Sequence, residues 1–154
     1  MTTAAKSKIA ECNCLAVRQA ARHVTQFYDH ALAPSGLRTT QFSILAKLKR
    51  QGPVTINVLA ADLVMDRTTL GRNILPLERD GLVAVRQSAQ DRRNKELSLT
   101  AAGAERLRRA TGLWADAQER FETAVGARPA AELRTLLRAV VATELGPSEA
   151  AAED

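Results

Sequence analysis

"LVAVRQSAQDRRNKELSL", residues 82–99, is where the chain leaves a helical period for an extended one. Residues 82–87 and 95–99 are short β-type runs, and the polar stretch Ser88 to Asn94 joins them. Five consecutive residues, Asp91 to Lys95, hold two arginines and a lysine. The pattern predicts a two-stranded hairpin with a cationic tip.

On either side the period is helical. From Ile9 to Leu32, apolar or small residues recur at the spacing of a long first helix, which "APSG" (33–36) ends. A second helix follows, with Thr39 or Thr40 placed to cap it and Phe42, Leu45 and Leu48 on its buried side. After Gly52 and Pro53, Thr55 caps a short helix with Ile56, Leu59, Ala60 and Leu63 on one face. Asp66 caps the next, which runs to Asp80 and stops at Gly81. Beyond the hairpin, Thr100 caps a long segment carrying Leu107, Thr111, Trp114, Phe121 and Val125 along one side. "GARP" (126–129) turns the chain into a last helix striped by Leu133, Leu136, Leu137, Val140 and Val141. The fold class is mainly α with a small β-hairpin. Residues 1–8 read as a flexible start, 9–145 as a single domain, and 146–154 as a disordered acidic tail.

Charge singles out the centre of this plan. The chain has 154 residues and a formal charge of +5, with 22 Lys and Arg against 17 Asp and Glu. Residues 37–100 carry the whole excess, 11 basic against 6 acidic side chains, while the flanks balance. A basic middle between neutral ends fits a polyanion-binding module held on a scaffold. No apolar run approaches the roughly 20 residues of a membrane span, and the start lacks the apolar core of a secretory signal, so a cytoplasmic location and no membrane partner are expected. Cys12 and Cys14 are one residue apart, a spacing unsuited to a structural disulfide and at best half a metal site. No metal, cofactor or catalytic site is expected: His23 and His30 lie on one helix, and there is neither a nucleophile elbow nor a phosphate loop.

Two short helices joined by a tight turn and followed by a hairpin form a winged helix-turn-helix, spanning about residues 37–100. Within it, Asp91, Arg93, Lys95, Leu99, Thr100 and Gly103 resemble the wing signature of the MarR family of bacterial transcription regulators. The order of helices extends that resemblance from about residue 9 to 145. It implies a homodimer built from flanking helices, about 9–32 and 101–145, that binds a pseudo-palindromic operator in double-stranded DNA, acts as a repressor, and is released by a small aromatic acid or phenolic effector. The chain departs from the family pattern at Val64, where glycine is common, and at Gly71 and Pro76 inside the second helix of the motif.

Helical geometry supports the DNA reading separately. At about 100° per residue, Leu70, Ile74 and Leu77 share one face of the helix 66–80, and Thr68, Arg72 and Arg79 point the other way. Arg72 suits a guanine edge, Thr68 and Thr69 a base or phosphate, and Arg67 a phosphate near the helix start. Leu75 also faces outward, toward either a thymine methyl or a packing partner. The expected DNA-binding set is Arg67, Thr68, Thr69, Arg72, Asn73 and Arg79 with Asp91, Arg92, Arg93 and Lys95 of the wing. Asp91 is expected to pin one wing guanidinium by a short charge pair while the other arginine projects to the minor groove.

Two triggers compete. Arg18, Arg22, His23, His30 and Trp114 are the residues suited to an aromatic-acid pocket, with arginine for the carboxylate. Cys14, Arg22 and Tyr28 keep the spacing of the hydroperoxide-sensing members of the family, an arginine eight and a tyrosine fourteen residues after the cysteine. Arg18 stands where those sensors usually have a further tyrosine, and Cys12 is the only other thiol. A helical interaction protein without DNA binding is a third alternative, opposed by the intact basic face.

Overall fold

The computed structural model describes residues 9–146, so the expected flexible start and all but the first residue of the acidic tail lie outside the described residues. In chain order the elements are α1 (Asn13–Leu32), a single 3₁₀ turn (Ala33–Ser35), α2 (Thr39–Gln51), β1 (Val54–Thr55), α3 (Ile56–Asp62), α4 (Arg67–Arg79), β2 (Val83–Gln87), β3 (Lys95–Leu99), α5 (Ala101–Val125) and α6 (Ala127–Ala142). The chain packs as two compact units that divide inside α5, between Ala117 and Gln118.

Three local expectations are corrected. The first helix does not run unbroken from Ile9: Cys12 is extended, with φ −69° and ψ 111°, and caps α1 by accepting the Leu15 amide on its sulfur at 3.5 Å. Nor do the hydroxyls of Thr39 and Thr40 cap α2. Asp29 of α1 reaches across to accept the Thr39 amide at 2.7 Å, Gln41 accepts the Arg38 amide at 3.0 Å, and the Thr39 hydroxyl is buried without a partner among the described residues. A side chain ten positions upstream satisfies the orphan donor, which no local pattern announces. Finally, the sheet has three strands rather than two, in the order β1-β3-β2, all antiparallel. Val54 pairs with Leu97 and Thr55 with Glu96, so the two residues of β1 cover the inner edge of the wing. A two-residue strand is too short to show a period of two.

The core of the first unit gathers Ile44, Leu45 and Leu48 from α2, Leu59 from α3, Leu70, Ile74 and Leu77 from α4, Val83 and Leu97 from the sheet, and Leu107 and Ala110 from α5. Truncating a buried leucine or isoleucine in such a core costs about 2–5 kcal/mol, so Leu70, Ile74 and Leu77 together hold α4 far more firmly than any surface pair does. Lys47 of α2 and Asp62 at the end of α3 add an ion pair at 2.8 Å. The second unit is the end of α5, a turn at Gly126 with φ 100°, and α6, braced by Arg134 on Glu122 at 2.9 Å. Among the described residues no helix is long and apolar enough to cross a membrane.

The junction after α4 is the tightest point. Gly81 turns the chain at φ 70°, and the Leu82 amide returns to the Leu77 carbonyl at 2.8 Å. Thr100 then donates its hydroxyl to the Gly81 carbonyl at 2.7 Å and accepts the Gly103 amide at 3.0 Å, capping α5. A Cβ on Gly103 would overlap the Leu82 carbonyl oxygen, so only glycine allows this approach.

Between α3 and α4 the chain makes a left-handed helix stop. The Met65 amide bonds the Ala60 carbonyl at 2.8 Å and the Val64 amide the Ala61 carbonyl at 3.1 Å, which puts Val64 at φ 53°. A β-branched residue pays about 1–2 kcal/mol in that region, and at 69% exposure Val64 recovers little by burial. Val64→Gly is therefore expected to stabilise the protein by about 0.5–1 kcal/mol after the greater chain entropy of glycine is subtracted. Thermal or urea unfolding measures this, and an unchanged or lower midpoint would contradict the strain.

Candidate nucleic-acid interface

Helix α4 is aimed by its buried and its capped parts together. Leu70, Ile74 and Leu77 are buried, while Arg67, Thr68, Thr69, Arg72, Leu75 and Arg79 are exposed. Asp66 fixes the start: one carboxylate oxygen accepts the Thr69 amide at 2.8 Å and the other the Thr69 hydroxyl at 2.6 Å. The Thr69 proton is thereby committed to the cap, which leaves Thr68 as the hydroxyl donor on the open face. Asn73 is half-buried and turned back, its amide donating to the Thr69 carbonyl at 2.9 Å. Pro76 does not break α4, although it leaves the Arg72 carbonyl without its usual donor.

The arginines differ in freedom. Neither Arg67 nor Arg72 has an ion pair among the described residues, whereas Arg79 pairs with its neighbour Asp80 at 3.1 Å. With the Arg79 side chain 76% exposed, that pair is worth little and yields readily to a phosphate.

The wing tip is held otherwise than the charge pair anticipated. Asp91 does not grip a guanidinium. Its carboxylate accepts the Arg93 amide at 3.0 Å and the Asn94 side-chain amide at 3.1 Å, and its carbonyl accepts the Asn94 amide at 2.9 Å. This is an Asx turn, closed from below by the Ser88 amide on the Asn94 carbonyl at 2.9 Å. Both guanidinium groups, of Arg92 and Arg93, are left exposed and without an ion pair among the described residues. Sequence reasoning missed Ser88 and Asn94. An aspartate followed at the third position by asparagine in a polar loop is the signal that points to such a turn. Lys95, exposed on β3, stands opposite Gln87.

The residues assigned to triggers are not drawn together. Arg18, Arg22, His23 and His30 are exposed along α1, and Trp114 stacks on Phe42 with ring centroids 6.1 Å apart. A shallow groove of about 330 Å³ beside Leu48, Lys49, Pro53, Leu99 and Ala104 includes none of the five. Cys12 and Cys14 are free and exposed. Tyr28 is half-buried against Phe27, at 5.2 Å between ring centroids, and lies about 21 Å along the helix from Cys14, out of its reach within one protomer.

A recognition helix bared on one side, a stiff cationic wing and a short strand bracing it define a winged-helix DNA-binding protein. The comparisons give the family. The MarR family profile matches residues 37–95. The transcriptional regulator MosR of M. tuberculosis, solved in complex with DNA, is 42% identical, with 87% of this chain and 99% of that one covered and a TM-score of 0.74. CouR, a transcriptional repressor bound to a 23-mer DNA duplex, is 28% identical, with 86% and 94% covered and a TM-score of 0.77. YwoH of Bacillus subtilis (strain 168), an uncharacterised HTH-type transcriptional regulator, is 34% identical over 84 residues, a match that takes in 54% of this chain and 61% of that protein. This chain belongs to the MarR family of DNA-binding transcriptional regulators, which are not enzymes.

The cap makes one pH-dependent claim. The hydroxyl of Thr69, and after it the Thr69 amide, hold the Asp66 carboxyl below its ordinary value. A carboxylate with a lowered folded pKa contributes stability that is complete above its unfolded value, about 3.9, and is lost as the pH falls through the folded one. The stability lost on Asp66→Asn is therefore expected to be largest near neutral pH and to shrink below about pH 4. Urea unfolding of both proteins across that range checks this, and a difference that does not change with pH would exclude the cap as its source.

Proposed function

We propose that this chain is a cytoplasmic repressor that binds a pseudo-palindromic operator as a homodimer, with α4 in the major groove and the wing tip on the backbone or minor groove. The observation that carries the proposal is the unpaired Arg72 on the bare face of α4. With no ion pair among the described residues, Arg72 can fork to guanine O6 and N7 without first giving up an internal partner. Arg67, Thr68 and Arg79 flank it as base or phosphate contacts. Thr69 and Asn73 serve through the helix start, and Asp91 through the turn that presents Arg92, Arg93 and Lys95. The DNA-bound states of MosR and CouR support the same use of the fold here.

The homodimer rests on α6. Leu136 is 65% and Val140 52% exposed on that helix, beside Leu133, Leu137 and Val141. A stripe of that kind is more apolar than a monomer leaves in water, and a second copy covers it by two-fold symmetry.

For release, a small aromatic acid or phenol engaging Arg18 or Arg22 is the first reading. The second, oxidation of a thiol at the start of α1, is favoured by one observation: Cys12 caps the helix by accepting the Leu15 amide on its exposed sulfur, and the exposed Cys14 follows in the same first turn.

Three outcomes are expected. Arg72→Ala weakens binding at the selected operator by about 1–3 kcal/mol and scarcely changes binding to scrambled DNA, whereas Arg92→Ala or Arg93→Ala weakens both. Titration of both duplexes at one salt concentration decides this, and equal losses for Arg72→Ala would remove it from base reading. Leu136→Arg combined with Val140→Arg yields monomers by light scattering, while a stable dimer would place the interface elsewhere. Operator complexes challenged with cumene hydroperoxide or with benzoates and hydroxycinnamates separate the triggers. Release by a benzoate that survives in Cys14→Ser but fails in Arg18→Ala supports the ligand; release by peroxide alone, lost in Cys14→Ser and reversed by a thiol reductant, supports oxidation.

A further inference from the structure

We infer that Leu75 is a specificity-determining residue of α4 that reads the methyl group of a thymine in the major groove. The inference rests on the DNA-binding reading above. Leu75 is 62% exposed, so packing within the protomer does not explain a leucine there. Its position does. At about 100° per residue it lies three residues after Arg72, four before Arg79 and seven after Thr68, on the face opposite the buried Leu70, Ile74 and Leu77. It is the apolar member of a row whose other members are two arginines and a threonine.

That setting favours one occupant. Anchors of protein interfaces are mostly aromatic side chains, with leucine under-represented among them, so a single leucine in a row that holds no aromatic residue makes a poor anchor for another protein surface. DNA offers the complementary pattern. Its major groove alternates acceptor edges with the thymine methyl, the one apolar group presented there, amid a field of phosphates that suits flanking cations. Residues three or four apart on a helix stand about 5–6 Å from one another, against a rise of about 3.4 Å per base pair. The thymine read by Leu75 therefore lies one or two base pairs from the guanine read by Arg72.

Selection of wild-type protein against a pool of random duplexes supplies the probe. Each thymine of the selected site is then replaced singly by deoxyuridine, which lacks only the methyl, and each guanine by 7-deazaguanine. Wild type is expected to lose about fourfold in affinity, the value of one buried methyl-sized group, at one thymine per half-site. Leu75→Ala should bind the thymine and deoxyuridine duplexes equally at that position, while Arg72→Ala keeps the thymine response and loses the response to a 7-deazaguanine one or two base pairs away. A Leu75→Ala protein that retains the wild-type response at every thymine overturns the inference, as does one that binds all duplexes like wild type. A pool from which wild type selects no sequence overturns the DNA-binding reading itself, and this inference with it.

Discussion

Everything that faces DNA depends on the contact between the first turn of α5 and the carbonyl of Leu82. Because Gly103 has no side chain, that oxygen can approach the helix closely enough for Thr100 to bond both the Gly81 carbonyl and the Gly103 amide. The Leu82 amide is itself bonded to the Leu77 carbonyl at the end of α4. A continuous run of hydrogen bonds therefore joins the recognition helix, the root of the wing and the start of α5. The wing and α4 cannot change angle to each other without breaking it. Motion of the first turn of α5 carries both.

Within that rigid body, cations and apolar groups are divided by their work. The buried side of α4 holds the helix in place by the transfer of leucine and isoleucine out of water, and among the described residues no ion pair engages Arg67 or Arg72 on the exposed side. The wing follows the same economy by different means. Asp91 spends its carboxylate on two amides rather than on a guanidinium, so the turn is rigid and both arginines stay available. Arginines in a preformed turn lose less conformational freedom on binding than arginines in a loose loop. In protein–DNA complexes, phosphate contacts fix position and salt dependence, while discrimination between sequences comes from contacts to base edges.

Much of this was legible in the sequence because it is local. The caps at Thr55, Asp66 and Thr100 each precede their helix by one residue, the period of α4 separates Leu70 from Arg72, and the hairpin runs are marked by the change of period. The family resemblance rested on Asp91, Arg93, Lys95, Leu99, Thr100 and Gly103, and the structure supplies physical reasons for Asp91, Thr100 and Gly103. What was misread depends on contacts distant in sequence or on very short elements: Asp29 capping α2 from α1, the two residues of β1 added to the sheet, and the break at Cys12. The role of Asp91 was missed for another reason. A carboxylate two residues from an arginine is compatible with a charge pair and with an Asx turn, and only the backbone conformation chooses between them. The odd valine at position 64 was visible as a departure from the family, and its positive φ shows why glycine suits that place.

The arrangement of α1 constrains how any signal reaches the DNA-binding face. A hydrogen bond joins α1 to α2 from the Thr39 amide to Asp29, near the end of α1, whereas Cys14 and Cys12 stand at the opposite end, about 22–26 Å away along the helix. Among the described residues the Cys12 sulfur accepts the Leu15 amide of its own helix, so modifying it uncaps α1 locally. Moving a regulator from almost fully bound to almost fully released takes about 5.5 kcal/mol of differential binding between two states. Uncapping a helix supplies about 1 kcal/mol. A trigger at the start of α1 must therefore draw the remainder from contacts beyond this local cap, and an effector held by Arg18 or Arg22 on the same exposed face falls under the same requirement.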